Sequence, residues 1–329
     1  MAEATIRDVA QRAGVSVASV SRTLNSPATV RPDMRERILQ AITELDYVPH
    51  AGARSLSMRL SHAIGVVLPD LHGEFFSELV RGMDREASSL GFQLLLSTMH
   101  ADARLAGQAL RAMRGRVDGL IVMAPHIDGE MLAAMLPPLP SLLVNTDGAS
   151  GHPVLRIDNR RGVDQVISHL VATGRRNVVH IAGPEGNIDA AERAAAFISA
   201  LYRQQPGAHQ VVIPGDFSEG AGRAAVRRLL ADETPFDALF AANDMMALGA
   251  LGALREDGRS VPGMVAVVGF DDIPLARFLD LTTVEVRMAD LGARAVARLV
   301  AQLGGATEAA GVELIEPALV VRGSSVAPC

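Results

Sequence analysis

Between Thr5 and Asn25 the run TIRDVAQRAGVSVASVSRTLN gathers short hydroxyls and one arginine at spacings that a nucleic-acid duplex could use. Thr5, Ser16, Ser19, Ser21 and Asn25 offer donors to phosphate oxygens, and Arg22 offers a planar fork able to grip a guanine edge bidentately. Val17 and Ala18 are small apolar groups that suit thymine methyls. A second set of polar residues, Asp70, Asn145, Asp158, Asn243 with Asp244 and Asp271 with Asp272, each follows a short apolar run. Taken singly, each reads as a turn residue or a helix cap, and Asn243-Asp244 in particular could cap a helix at Met245. Taken together, they could converge outside the carboxyl ends of parallel strands, where a polyhydroxylated ligand would find donors and acceptors.

Catalytic patterns fare worse. All the basic residues are arginines, so lysine-dependent chemistry is excluded, and the single Cys329 leaves neither a disulfide framework nor a cysteine metal site. No HExxH pair, GxSxG elbow or GxxxxGK[ST] loop occurs. Gly220 to Ala225 matches GxGxxA, but residues 214–219 separate it from the preceding apolar run, whereas a dinucleotide site needs its glycines in the turn itself.

The first set has to be held on one surface by local structure. Thr5 can cap a helix whose Ile6, Val9, Ala10 and Ala13 fall on one face, and Gly14 ends it because the chain must turn with a positive φ. Val15 packs back, Ser16 caps a second helix, and that helix buries Val20 and Leu24, leaving Val17, Ala18, Ser21 and Arg22 outward. The spacing fits a helix-turn-helix, with small Ala10 at the crossing; the alternative is an ordinary two-helix hairpin inside a larger core. A third helix is expected from Arg31 to Leu45, striped by Met34, Ile38, Ala41, Ile42 and Leu45, and a connector follows from Tyr47.

From residue 63 the pattern alternates. Apolar runs at 63–68, 92–97, 120–124, 141–144, 178–182, 211–213, 238–241 and 265–270 are separated mostly by amphipathic segments at 75–90, 104–113, 161–173, 190–203, 219–230 and 244–257. This is the signature of parallel sheets covered on both faces by helices, and the count calls for two subdomains. The formal charge of −6 hides an asymmetry: residues 1–61 hold eight arginines against six acids, so a weakly basic head precedes an acidic body. No signal-peptide pattern or bilayer-length apolar run occurs, which predicts a cytoplasmic protein without a membrane partner, and nothing in the chain calls for a cofactor or metal.

The runs GVSVASVSRTLN and VRPDMRERILQAITELDYVPHAGARSL, and beyond them VLPDLHGEFFSELVRGMD, GRRNVVHIAGP, AANDMMALGALGALREDG and VAVVGFDDIP, resemble the lac repressor/galactose repressor family. The resemblance implies an all-α helix-turn-helix headpiece (1–48), a hinge helix and linker (49–61), and an α/β core. That core would comprise two doubly wound parallel-sheet subdomains similar to periplasmic binding proteins, 62–158 with 287–316 and 159–286 with 317–329. It implies a homodimeric repressor on a pseudo-palindromic double-stranded operator, controlled by a small effector, most simply a sugar; a co-repressor such as a nucleobase is the alternative. Both signs of effector response exist in such a family. His50, Ala53 and Leu56 would complete the DNA contacts, with Leu56 wedged into the minor groove; read from periodicity alone, Leu56 would instead tuck against the next domain. His50 stands where asparagine is usual, and Gly52 weakens a hinge helix by about 1 kcal/mol relative to alanine.

For the effector the resemblance points to Asp70, Phe75, Phe76, Asn145, Asp158, Arg193, Asn243 and Asp271. Arg193 matches an effector-gripping arginine, and its bland alternative is a surface ion pair with Glu192. Arg193 and Asp271 are expected to face each other across vicinal hydroxyls of the ligand. Asn145 in place of a frequent aspartate, Ala196 for glycine, Gly73-Glu74 for Asn-Pro and Val286 for a polar residue imply a retuned pocket.

Overall fold

The computed structural model describes residues 4–25, 29–47, 61–71, 73–148, 151–307 and 309–326. They fall into two compact units, Met1–Ala63 and Ile64–Cys329.

The first unit holds α1 (Ile6–Ala13), α2 (Val17–Asn25) and α3 (Pro32–Glu44). Local chemistry fixes each end. Thr5 and Asp8 close a capping box: the Asp8 N–H donates to Thr5 Oγ1 at 3.4 Å and the Thr5 N–H to Asp8 Oδ2 at 2.7 Å. Hydrogen bonds from Thr5 hold the Asp8 carboxyl below its usual range. Gly14 takes φ 65°, where a side chain would be strained, so that the Val15 N–H reaches Ala10 O at 3.0 Å. Ser16 Oγ accepts from the Ser19 N–H at 3.2 Å and starts α2. Proline at the first position of α3 lacks only an N–H that a helix start leaves unpaired. Val9, Ala10, Ala13, Val20, Ile38 and Ala41 form the core. Tyr47, expected to open the connector, instead joins this core at 6% exposure.

The second unit runs β1 (Ala63–Leu68), α4 (Glu74–Ser89), β2 (Gln93–Thr98), α5 (Ala103–Met113), β3 (Gly119–Met123), α6 (Gly129–Met135), β4 (Ser141–Val144) and β5 (Pro153–Ile157). It continues with α7 (Asn159–Ala172), β6 (Val178–Ile181), α8 (Ile188–Gln204), β7 (Val211–Ile213), α9 (Glu219–Ala231), β8 (Ala238–Ala241) and α10 (Asp244–Glu256). The last elements are β9 (Ala266–Val268), α11 (Pro274–Phe278), β10 (Thr283–Glu285), α12 (Met288–Leu303), β11 (Gly311–Ile315) and β12 (Ala318–Val320).

Two sheets result. One has six strands in the order β11-β5-β4-β3-β1-β2, with β1–β3, β3–β4, β4–β5 and β5–β11 parallel. The other has four parallel strands, β7-β6-β8-β9. An antiparallel pair, β10 with β12, is bridged to the second sheet's end by Val268 with Thr282 and Asp271 with Glu285. Each sheet has its own apolar core, one around Ile64, Leu79 and Val296 and one around Phe197, Phe240 and Phe270. The chain leaves the first lobe after Ile157, returns between Glu285 and Met288, and leaves again between Ile315 and Ala318.

Seven elements exceed the sequence-based expectation: β5, β10, β11, β12, α6, α11 and α12. The four strands are short or polar, and β11 is largely exposed. α12 is long, but Gly292 and five alanines dilute its apolar stripe. Gly292 has a packing reason: a Cβ there would stand 2.2 Å from Leu79 O, and one at Gly82 would stand 1.9 Å from Ala289 O. The same reciprocal contact joins α9 to α10, where a Cβ on Gly222 would meet Met246 O and one on Gly249 would meet Glu219 O, each at 1.9 Å. The glycines of the GxGxxA run thus lie inside a helix, and Gly222 serves close helix packing. Among the described residues no helix is long and apolar enough to cross a membrane.

Candidate functional site

The structure offers two sites, one in each unit. In the first unit α2 presents Val17, Ala18 and Arg22 outward, with Ser16 exposed at its start and Ser19 and Ser21 half-buried. Val17 is 41% exposed. Thr5 and Ser16 spend their oxygens on caps, and Ser16 and Ser19 share a hydroxyl hydrogen bond at 2.9 Å. Any phosphate these residues hold would meet helix starts as well as hydroxyls. The side chain of Asn25 and the residues His50, Ala53 and Leu56 lie outside the described residues.

In the second unit the centre is Arg193, one turn into α8 and only 3% exposed. Its Nε donates to Asn159 Oδ1 at 2.8 Å, its Nη1 donates to Ala242 O at 2.5 Å, and its guanidinium lies 3.8 Å over the Phe270 ring. Asp271, 5% exposed, approaches with Oδ1 3.8 Å from Nη1. That oxygen has no hydrogen-bond partner. Asp271 also has φ 117°, a conformation that L side chains rarely adopt, which fits a residue held for function rather than for local comfort. Burial pushes its carboxyl up to about 7, Arg193 pulling it down and Asp189 pushing it up.

Asn159 ties the network together. Its Nδ2 donates to Asp189 Oδ1 at 2.8 Å and to Glu192 Oε2 at 2.9 Å. Asp189 is buried, and desolvation raises its pKa above the ordinary value despite Arg193. Beneath Asp271, Asp244 accepts from Thr283 Oγ1 at 2.5 Å and from the Ile273 N–H at 2.9 Å, and burial holds it well above the usual carboxylate range.

The other lobe meets this cluster at several points. The Ile188 N–H donates to Pro125 O at 2.9 Å, the Leu275 N–H to Glu74 Oε2 at 3.3 Å, and Arg156 of β5 pairs with Glu192 of α8. Phe75 packs against both apolar cores, edge-on to Phe76, which packs on the first alone. Asn145 is 1% exposed at φ 45°; its Oδ1 accepts from the Ile157 N–H at 3.3 Å, while its Nδ2 has no partner.

Of the residues singled out from sequence, the structure brings Arg193 and Asp271 together, with Asn243 in the same strand-end layer. Asn243 caps α10 through the Met246 N–H and donates to Phe217 O, so both ends of its amide are committed within the lobe. Asp158 caps α7 and lines a groove with Arg161, Gln165 and Pro317 beside the crossovers; its neighbour Asn159 is the residue that touches Arg193. Asp70 is exposed and accepts from the Leu71 N–H. Arg193 and Asp271 do not face each other across a ligand: both belong to the second lobe, and 3.8 Å leaves no room for a sugar ring between them. Glu192, the alternative partner of Arg193, pairs with Arg156 instead. Asn159 and Asp189 were not anticipated. Asp189 lies four residues before Arg193 on α8, hence on the same face, and that spacing was the available signal.

One unit thus exposes a two-helix surface, and the other holds a buried polar network where two parallel-sheet lobes meet. The chain matches the bacterial regulatory proteins of the lacI family over residues 5–50 and the periplasmic binding protein-like domain over residues 167–325. It is 34% identical to the ribose operon repressor of Halalkalibacterium halodurans over 305 residues, covering 91% of this chain and 90% of that one. The crystal structure of the lac repressor dimer bound to operator and the anti-inducer ONPF superposes with a TM-score of 0.91 at 29% identity, over 99% of this chain and 100% of that one. A complex of the transcriptional regulator CelR with cellobiose gives 0.71 at 32% identity, over 98% and 99%. The chain belongs to the lacI family and is a sequence-specific DNA-binding transcriptional regulator.

Proposed function

We propose that this protein is a cytoplasmic, dimeric repressor that holds a pseudo-palindromic operator through paired headpieces and alters its grip when a small sugar fills the core cleft. The observation that carries the effector half is the Arg193 network: a buried arginine, three buried carboxylates and an Asp271 oxygen without a hydrogen-bond partner, 3.8 Å from Arg193 Nη1. Such a constellation costs stability unless a ligand completes it. The relatives named for ribose and cellobiose support a sugar, and the operator-bound relative supports paired headpieces. The division into 1–48, 49–61 and two core lobes joined by three crossovers belongs to the same proposal. So does the assignment of DNA contacts to Thr5, Ser16 to Ser19, Ser21, Arg22 and Asn25, with His50, Ala53 and Leu56 in the hinge.

A thermal-shift screen of neutral aldoses and disaccharides tests the effector. A ligand at a hundred times its dissociation constant adds about 2.7 kcal/mol to the stability of the state it binds. The expected result is one sugar that raises the melting temperature of the core and changes the affinity of the full chain for a selected operator. A sugar that stabilised the core but left operator affinity unchanged would contradict the regulatory reading.

A further inference from the structure

Charge is unevenly spread along the strands of the six-stranded lobe. Acids follow the carboxyl ends: Asp70 and Glu74 after β1, Asp102 after β2, Asp128 after β3 and Asp147 after β4. The amino ends present the opposite sign. There α5 runs out into the turn Arg114-Gly115-Arg116, with Arg111 one turn back in the helix, and all three arginines are exposed. Gly115 takes φ 73°, and the N–H groups of Arg114 and Arg116 donate to Arg111 O at 3.2 Å and Met113 O at 3.0 Å, so backbone alone fixes the turn.

An exposed arginine is tolerated alone, but most arginines of the acidic body hold a carboxylate: Arg81 holds Glu78, Arg203 Asp164, Arg223 Glu256 and Arg294 Glu313. Among the described residues the side chains of Arg111, Arg114 and Arg116 hold none. The acids at their end of the lobe are Glu86, in the last turn of α4, and Asp118, both half-buried. The lead-ins to β2 and β4, residues 90–92 and 136–140, carry no charge.

This edge is also where the chain arrives from the headpiece. Ile64 of β1 pairs with Gly119 of β3 in parallel, so the residues that lead into β1 run beside the turn that leads into β3. Along the chain only residues 48–60 intervene between Tyr47 of the headpiece core and Ser61, and so short a tether raises the effective concentration of headpiece-bound DNA at this edge.

We infer that Arg114 and Arg116, with Arg111 behind them, form a second DNA-contacting surface, on the core, that holds phosphates of the duplex already gripped by the headpiece and reads no base. Guanidinium forks suit phosphate oxygens, which carry no sequence information, so this surface adds affinity and salt dependence without adding specificity. The acidic remainder of the core repels a duplex, which leaves this edge as the face that can approach one.

The test is a salt titration of the full-length protein on a duplex bearing its selected operator and on an unrelated duplex, read by fluorescence anisotropy. Each phosphate contact contributes about 0.9 to the slope of log affinity against log salt, and the dimer carries the surface twice. Arg114→Ala with Arg116→Ala should therefore lower the slope by about 2 to 4 on both duplexes and weaken binding on the order of tenfold at about 0.1 M salt, while selection from random duplexes returns the parental site. Arg114→Lys with Arg116→Lys keeps the charge and should keep most of the slope. As a control, Arg104→Ala with Arg176→Ala removes two exposed arginines, one at the carboxyl end of the same lobe and one in the other lobe, and should leave the slope within about 1 of the parental value. An unchanged slope in the alanine pair overturns the inference. So does an equal fall in the control, which would make the effect one of net charge, or in the lysine pair, which would make it one of the turn's shape.

Discussion

The proposed recognition helix and the proposed effector cleft differ in how far along the chain their supports lie. In the headpiece Thr5 is boxed by Asp8, Val15 turns back on Ala10, and Ser16 caps onto Ser19, so each support is at most five residues away. In the cleft Asn159 reaches Asp189 across 30 positions, Arg193 reaches Asn159 across 34 and Ala242 across 49, and Thr283 reaches Asp244 across 39. The side chains that would read DNA project from a frame that stands without them. Those of the cleft are themselves part of the frame, so function and stability should separate at one site and be entangled at the other.

The largest effect should come from Arg193→Ala. Removing one partner from a buried charged network leaves Asp189 and Asp271 uncompensated, and a loss of about 3 to 5 kcal/mol in core stability is expected. Urea denaturation would measure it. A loss below about 1 kcal/mol would mean that the network adds nothing to the frame, and the contrast between the two sites would break.

Next in size is a pH effect. Burial holds the Asp271 carboxyl near 7, so between its ordinary pKa and 7 the folded protein keeps a proton that the unfolded chain has released. Stability should therefore fall as pH rises through that window. Asp271→Asn should flatten the fall and be more stable than the parent above about pH 7, by at most about 4 kcal/mol. Some slope should remain, because Asp189 and Asp244 are raised in the same direction. Burial pushes His180 down to about 4, so its contribution has the opposite sign: it favours the fold increasingly as pH rises from there to the ordinary histidine value. Denaturant midpoints at about pH 5 and pH 8 distinguish the two trends, and an unchanged slope in Asp271→Asn would remove Asp271 from the account.

The smallest effect on stability should be that of Arg22→Ala, which is expected to leave the headpiece's melting temperature alone. It should cost about 1 to 3 kcal/mol in operator affinity and relax preference at one base step in each half-site. Selection from random duplexes reads this directly. A mutant that prefers the parental site as strongly as the parent would show that Arg22 reads no base.

The same contrast in range explains what the sequence could disclose. Both headpiece helices, their caps and the outward set around Arg22 were legible because every cause lies within a turn or two. Strand-end residues such as Asp271 and Asn243 were legible as candidates, since an apolar run announces its own end. Which of them would meet was not legible. Asn159 rather than Asp158 turns inward because it is the first residue of α7 while Asp158 caps it, a difference of one position that only the sheet crossover fixes. Asp189 joined the site through a partner 30 residues upstream. The helix Met288–Leu303 was obscured by the small residues that let it pack so closely on Leu79 and Gly82.

The claim that an effector in the core governs DNA binding by the headpiece is tested most directly by operator titration of the parent and Asp271→Asn, with and without the sugar found by thermal shift. Asparagine preserves shape and relieves a buried charge, so the variant's ligand-free operator affinity should stay close to parental. Its response to the sugar should be lost or shifted to much higher concentration, because an acceptor for the ligand has been replaced. A variant that lost operator binding outright while still binding the sugar with parental affinity would contradict the account and make Asp271 a structural residue.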